Sequence, residues 1–319
     1  MAYAYKTIDL EIVIAFASNS IFPVTMWYCT FTKRALIRQI VIYYYNAGLF
    51  RGNVLHNRGK IINSIIFCAI LISFISALCC SLTASTDPPV KQYYSFHLVL
   101  DENFVAIAIR HLMIQLVFLY QFTFTCLVAV MCGTLYYSLS ELFYLFRKDL
   151  QADTPDSENM RARMLQYTKL FEIANELEKT LSTTCCLFLC SQMISMYVSL
   201  ATYVLLDEER LTMCIIWESI PEMSLIPASI IGVTLCASKI SSQAENCNIY
   251  LQTLHDRLIC HQKTDWKTFL LVKAMMNKRL PYMSACRIIK FTPAFIISVF
   301  GSLFTYGLLI LNFKHTERK

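Results

Sequence analysis

Charge is what this chain has least of. Only 16% of its 319 residues are Asp, Glu, Lys or Arg, against 56% hydrophobic residues, and the mean hydropathy is +0.48. Soluble domains carry about 25% charge, so a water-soluble globular domain is excluded. Glycine is scarce as well: seven in all, with Gly48, Gly52 and Gly59 crowded into one connection. Transporters break helices with Gly and Pro at matching places in two halves of the chain. Here Pro221, Pro227 and Pro293 are placed to kink spans, but without symmetry or an internal repeat, and a transporter is unsupported.

Other absences narrow the chemistry. There is no Gly-rich phosphate loop, no Gly-x-Ser-x-Gly elbow and no helical His pair, so no enzyme and no cofactor are read. His255 and His261 flank Cys260, but a separation of six residues puts the two rings on different helix faces, and no metal site is expected. No Asn-x-Ser/Thr sequon occurs. Asp9 and Glu11 stand where a leader would be basic, and no small-residue cleavage site follows. The first apolar run is therefore expected to be a span and the outer surface to be small. Cysteine is plentiful, at fourteen, but Cys68, Cys126, Cys132, Cys190 and Cys236 lie inside apolar runs, where a thiol acts as a small hydrophobe. Cys185, Cys186 and Cys190 read as packing residues. Only Cys79, Cys80 and Cys214 are placed to meet on an oxidising side, and no bond among them is expected.

What is present is a set of long apolar runs. Five charge-free stretches can cross about 30 Å of hydrocarbon at roughly 1.5 Å per residue: Ile12–Thr32, Ile61–Leu82, His111–Ser140, Thr180–Leu206 and Phe291–Phe313. A sixth, about Ile215–Ser238, tolerates Glu218 and Glu222 near one end. The expected organisation is an all-α, polytopic membrane protein with six spans. Residues 1–240 form a transmembrane helical domain, with spans near 12–32, 61–82, 104–146, 180–206 and 215–238. Residues 241–290 form cytoplasmic anchor helices, and 291–319 the terminal span and a short tail.

Orientation follows from where the basic residues sit. The connection after the first span holds Lys33, Arg34, Arg38, Arg51, Arg58 and Lys60, while the next holds only Lys91 among Asp87, Asp101 and Glu102. The third span is followed by Arg147, Lys148, Arg161, Arg163, Lys169 and Lys179; the fourth by Arg210 beside Asp207, Glu208 and Glu209. Lys and Arg are retained on the cytoplasmic side, which places the basic connections inside and the C-terminus outside. Lys314, Arg318 and Lys319 run against that last placement. Six crossings also put Met1 outside with no leader to carry it there, and one further span upstream would repair the topology.

The inner connections read as helices that continue the spans into water. Apolar residues recur at Tyr167, Leu170, Phe171, Ala174, Leu177 and Leu181, and again at Ile240, Ala244, Cys247, Leu251, Leu254 and Leu258, the three-and-four spacing of one helix face. Such stripes need partners, so a packed cytoplasmic bundle is expected. Asp265–Lys290, with Leu270, Leu271, Ala274 and Met275, reads as the lead-in to the last span.

Polar groups in spans are costly and are functional candidates by default. Arg110 and His111 open the third span, and Glu218 and Glu222 sit at the outer end of the fifth. They are read either as interfacial snorkelling or as part of an outward-facing pocket with Gln115, Tyr120, Gln121, Phe124, Tyr197, Tyr203 and Trp217. In the last span, Asn312 shares a helix face with Leu309, Leu308, Thr305 and Gly301. That face suits either close helix packing or a polar conduit.

The end of the chain carries a resemblance. "TYGLLILNF", Thr305 to Phe313, resembles the C-terminal signature of arthropod gustatory receptors, a Thr-Tyr pair, five hydrophobic residues and Gln-Phe, with Asn312 in place of Gln. Upstream, "YMSACRIIKF" is similar to that family's Thr-Ala-Cys-Gly block, through Ser284, Ala285 and Cys286, with Arg287 in place of Gly. "LFEIANELEKTLSTTCC" fits the region before the family's fifth helix. The resemblance implies a seven-span chemoreceptor fold whose first span is missing here, by loss or by an incomplete gene. It also implies a ligand-gated cation channel at the plasma membrane of chemosensory neurons, a homo- or hetero-tetramer of receptor subunits with partners among small-molecule tastants, cations and membrane lipid, and no nucleic acid. Thr305, Leu308, Leu309, Asn312 and Phe313 would line the pore, with Asn312 and Phe313 at its outer mouth, where an amide ring can coordinate a hydrated cation and a hydrophobic ring can gate by dewetting. An insect odorant receptor is the nearest alternative. A divergent G-protein-coupled receptor would invert the topology, and it lacks support from any Asp-Arg-Tyr or Asn-Pro-x-x-Tyr motif.

Overall fold

The computed structural model describes residues 21–46, 53–84, 104–152, 157–205, 213–260, 266–278 and 282–317. Helical residues 21–32 pass through a turn at Lys33 into α1 (Arg34–Asn46). There follow α2 (Asn53–Ala84), α3 (Phe104–Phe118), a π turn (Leu119–Thr123), α4 (Phe124–Ala152), α5 (Ser157–Leu205), α6 (Met213–Cys260) and α7 (Trp266–Met276). A two-stranded hairpin, β1 (Ser284–Ala285) and β2 (Ile289–Lys290), precedes the last helix, α8 (Pro293–Glu317). The fold is nearly all helical, and the hairpin is its departure from the expected all-α class.

Hydrocarbon offers no hydrogen-bond partner, so an apolar run in lipid must satisfy its own backbone as a helix. Among the described residues five helices are long and apolar enough to cross a bilayer: Gly59–Thr83, Phe104–Ala152, Glu158–Val204, Ile216–Cys260 and Pro293–Lys314. They coincide with the second to sixth apolar runs, and the chain is a multi-pass membrane protein. Of the first run, residues 12–20 lie outside the described residues, as does the acidic connection 87–102.

Helix lengths separate the membrane part from the rest. α5 and α6 hold 49 and 48 residues. At about 1.5 Å per residue each is roughly 72 Å long, more than twice the hydrocarbon thickness of about 30 Å. Their inner halves carry the expected stripes into water, and the stripes are buried: Tyr167, Leu170, Ala174, Leu177 and Leu181 on α5, and Ile240, Ala244, Cys247, Leu251, Leu254 and Leu258 on α6. With α1, α4 and α7 they form one core, which also takes in Ile40, Tyr44, Phe143, Phe146, Val272 and Met275. Polar atoms stitch the same elements together. Tyr44 Oη donates to the Leu135 carbonyl at 3.2 Å, Tyr250 Oη to the Leu150 carbonyl at 3.4 Å, and Lys239 Nζ to Glu141 Oε1 at 3.0 Å. Residue 240 lies in mid-helix, so the apolar and the more polar parts share continuous rods.

One expectation is corrected. Residues 265–290 are not a helical lead-in to the last span: α7 stops at Met276 and the hairpin intervenes. Its buried face is Thr268, Val272 and Met275, while Leu270 is 46% exposed and Ala274 is exposed. The physical reason is local. Cys286 and Arg287 in the hairpin turn have positive φ, which a right-handed helix does not allow.

Leu177→Ala or Leu251→Ala should therefore destabilise the protein by about 2–5 kcal/mol. Leu165→Ala, at a position 60% exposed, should stay within about 0.5 kcal/mol. Thermal unfolding of the detergent-solubilised chain checks the contrast.

Candidate functional site

At the outer end, α3 packs on α2, and α2 packs in turn on α6. Arg110, Ile114 and Phe118 are buried along it, and His111 Nδ1 shares a hydrogen bond with Ser81 Oγ of α2 at 3.0 Å. Ile114, Phe118 and Phe122 join Ala77, Cys80 and Cys214 in a second apolar cluster, with Trp217 packed against it. Arg110, His111, Gln115 and Trp217 are thus brought into one region, and Gln115 Oε1 is buried there with no hydrogen-bond partner among the described residues. The centre of the region is filled by Ile114, Phe118 and Phe122. Glu218 is half-buried one residue beyond Trp217.

The π turn escaped the sequence reading. It inserts an extra residue into the rod at Leu119–Thr123, which re-aims everything beyond it, and π turns of this kind recur at functional sites. Tyr120 and Gln121 lie within the turn; Phe124 follows it and stacks on Tyr120, with centroids 6.4 Å apart. Thr125 Oγ1 donates to the carbonyls of Gln121 and Phe122 at 2.6 and 3.0 Å, bonding backbone oxygens that the widened turn displaces. Across the bundle, Pro221 and Pro227 interrupt α6 in its outer half. Each lacks the N–H that would bond the carbonyl four residues earlier.

Tyr197 does not join this group. Its hydroxyl shares a hydrogen bond with Ser302 Oγ of α8, and its ring meets Tyr306 edge-on at 4.9 Å and 87°. Tyr203 is half-buried further along α5.

α8 is the least enclosed of the crossing helices, with 17% of its apolar window buried. A single stripe, Val299, Gly307 and Ile310 flanked by half-buried Phe295, Phe300 and Leu303, docks on α5 and α6. Gly307 permits the closest approach: a Cβ there would meet Leu200 Cδ2 at 3.2 Å. Gly301, Thr305, Leu308, Leu309, Asn312 and Phe313 all point away from the subunit; Leu308 and Leu309 are 52% and 53% exposed. Thr305 Oγ1 donates back to the Gly301 carbonyl at 2.9 Å. Lys314 Nζ donates to the Val204 carbonyl at 2.8 Å, a cation at a helix C-terminus. This bond ties the last turn of α8 to the last turn of α5.

The inner end of α8 is held by the hairpin. Ser284 pairs with Lys290 and Ala285 with Ile289. Ser284 Oγ donates to Glu178 Oε1 of α5 at 2.9 Å, and the Cys286 N–H donates to the Ser182 carbonyl at 3.1 Å. The tight turn places Cys286 and Arg287 at φ 50° and 60°. This is the left-handed region where glycine alone is unpenalised. The resembled pattern has glycine at the position of Arg287. Arg287 Nε lies 4.0 Å from Glu178 Oε1, with 73% of the side chain exposed, so the pair contributes little. Glu178 was legible as an oddity: it shares the buried face of α5 with Ala174, Leu177 and Leu181, at three-and-four spacing.

No family model matches the chain, and no curated protein sequence matches it. Among solved structures it is similar to the insect olfactory receptor OR5 from Machilis hrabei, at 12% identity and a TM-score of 0.58, over 93% of this chain and 80% of that one. At that identity the likeness is one of fold: the chain shares the architecture of an insect olfactory receptor.

The left-handed turn gives a direct test. Arg287→Gly and Arg287→Val both remove the charge, so their difference isolates the backbone. The glycine variant should be the more stable by about 1–2 kcal/mol, read from thermal unfolding in detergent.

Proposed function

We propose that this chain is a subunit of a ligand-gated cation channel, a chemoreceptor of the gustatory type. The observation that carries the reading is the division of α8 into two faces. One stripe docks on its own subunit, and the opposite face, with Gly301, Thr305, Leu308, Leu309 and Asn312, is left uncovered by the described residues. A transmembrane helix with hydroxyl and amide groups on its uncovered face needs either water or another protein against them. Four subunits arranged about one axis supply both: the faces meet around an aqueous passage, with Asn312 and Phe313 as its outer rings.

In this reading the Asn312 carboxamide exchanges with part of a cation's hydration shell, and the Phe313 ring sets a dewetting barrier when the rings close together. Asn is one methylene shorter than the Gln of the resembled signature. The outer ring is correspondingly wider, which favours a larger hydrated ion. A small-molecule tastant would act in the outer halves of α3 and α6, where the π turn, Pro221 and Pro227 interrupt the helices beside Arg110, His111 and Trp217. The subunits are read as residing in the plasma membrane of chemosensory neurons, alone or with other receptor subunits.

An odorant-responsive channel is the second reading, favoured by the fold likeness to an olfactory receptor. A mixed panel of sugars, bitter compounds and volatile odorants, applied to cells expressing the chain while currents are recorded, separates the two.

Asn312→Ala should shift the reversal potential under mixed cations or raise the resting leak, with surface expression unchanged. Currents indistinguishable from wild type in both respects would remove Asn312 from the pore.

A further inference from the structure

We propose that Cys80 and Cys214 are joined by a disulfide bond that staples the outer end of α2 to the outer start of α6. The two sulfurs, 134 residues apart in sequence, face each other at 2.6 Å. Both residues are buried, at 0% and 3% exposure, inside the apolar cluster of Ala77, Ile114, Phe118 and Phe122. A small side-chain adjustment closes that approach to a bond of about 2.05 Å. The pairing is unambiguous on geometry. Cys79 is the neighbouring residue, but one step along a helix turns a side chain by about 100°, and Cys79 lies outside the cluster, half-buried on another face.

Compartment separates this pair from the other thiols that touch. Cys132 meets Cys185, and Cys186 meets Cys286 and Cys190. Those contacts lie inside the membrane or beside the hairpin at the inner end of α8, where the cell keeps thiols reduced. Cys80 and Cys214 lie at the opposite end of the rods, on the side that the basic connections leave free. This step rests on the orientation used for the proposed function. The chemistry is exchange during folding in the secretory lumen. The thiolate of one cysteine attacks a donor disulfide, that of a dithiol oxidase, and the second thiolate displaces the donor from the mixed disulfide. The chain loses two protons and two electrons, and the donor leaves as a dithiol. The α2–α6 staple then fixes the region in which Ser81, His111 and Trp217 converge.

Differential alkylation of the full-length chain, expressed in insect cells and acid-quenched, tests the bond. Iodoacetamide is applied under denaturing conditions, then reductant, then N-ethylmaleimide, and the cysteine peptides are read by mass spectrometry. N-ethylmaleimide should mark Cys80 and Cys214, and iodoacetamide Cys132, Cys185, Cys186 and Cys286. In Cys80→Ser, Cys214 should move from the second label to the first. Iodoacetamide on both Cys80 and Cys214 of the wild-type chain overturns the proposal, as does Cys214 keeping the second label in Cys80→Ser. The wild-type result decides by itself if the variant fails to accumulate. A C-terminal epitope stained on intact cells shows whether the orientation survives a missing bond.

Discussion

A lipid interior supplies no donor and no acceptor, and that constraint shapes this molecule more than any single contact does. Every backbone N–H and C=O that crosses the bilayer must find its partner within its own helix, so the apolar runs of the sequence become rods. Hydroxyl side chains in the rods turn back on the same ladder: Ser73 to the Ala69 carbonyl and Thr134 to the Val130 carbonyl, at 2.9 and 2.7 Å. Where the ladder is interrupted, the loose carbonyls need protein or water beside them. The π turn at Leu119–Thr123 and the prolines at 221 and 227 are interruptions of this kind, and they sit in the outer halves of two neighbouring rods. The proposed ligand region was placed in this half for that reason, beside Gln115, whose buried Oε1 has no hydrogen-bond partner among the described residues.

The inner half is built on the opposite plan. α5 and α6 run uninterrupted from the membrane into water, and their apolar stripes close on α1, α4 and α7 without a proline in the buried faces. The hairpin joins this rigid body to α8 through two bonds to α5, one from Ser284 to the Glu178 carboxylate and one from the Cys286 N–H to the Ser182 carbonyl. A buried carboxylate such as Glu178 is tolerable only when bonded, so the hairpin and the helix satisfy each other. At the outer end, Lys314 and the Tyr197–Ser302 pair tie α8 to α5 again. α8 is therefore tethered to α5 at both ends, and between them Gly307 lets it lie close against Leu200.

Much of this was legible in the residues. Hydropathy located the crossing helices because nothing but a helix is permitted there, and the α5 and α6 stripes declared their buried faces because a packed helix must repeat its apolar residues every three or four positions. What failed to show was whatever depends on a single long-range partner. Arg287 reads as an ordinary basic residue near a membrane surface until the turn places it at positive φ. Cys80 and Cys214 are two of three cysteines placed to meet on one side, and only the fold selects them over Cys79 and sets them face to face. Tyr197 reads as pocket aromatic or packing aromatic alike, and only the position of Ser302 and Tyr306 decides that it serves α8. The π turn has no signature of its own, since Tyr120, Gln121 and Thr123 sit as readily in an unbroken α-helix.

The position of Asn312 bears on what its amide can do. The Lys314–Val204 bond ties the last turn of α8 to α5, and Asn312 lies two residues before Lys314. A carboxamide at mid-depth facing lipid would go unbonded at a cost of several kcal/mol, and helices carrying one there associate to avoid it. An amide near a helix end can reach water from its own subunit, so association is not forced by Asn312 alone. The remainder of the face does not force it either, since a bonded hydroxyl and leucines are at ease in lipid. Thr305 lies two turns inward, its hydroxyl already spent on the Gly301 carbonyl, and between Thr305 and Asn312 stand Leu308 and Leu309. A passage lined by this face is therefore narrow and greasy in its middle and polar only at its rim. In the proposed channel, an ion entering from outside would pass the rings of Phe313 and Asn312 before the leucines, which would place ion recognition at the rim and add the apolar turns beneath it to the barrier at Phe313.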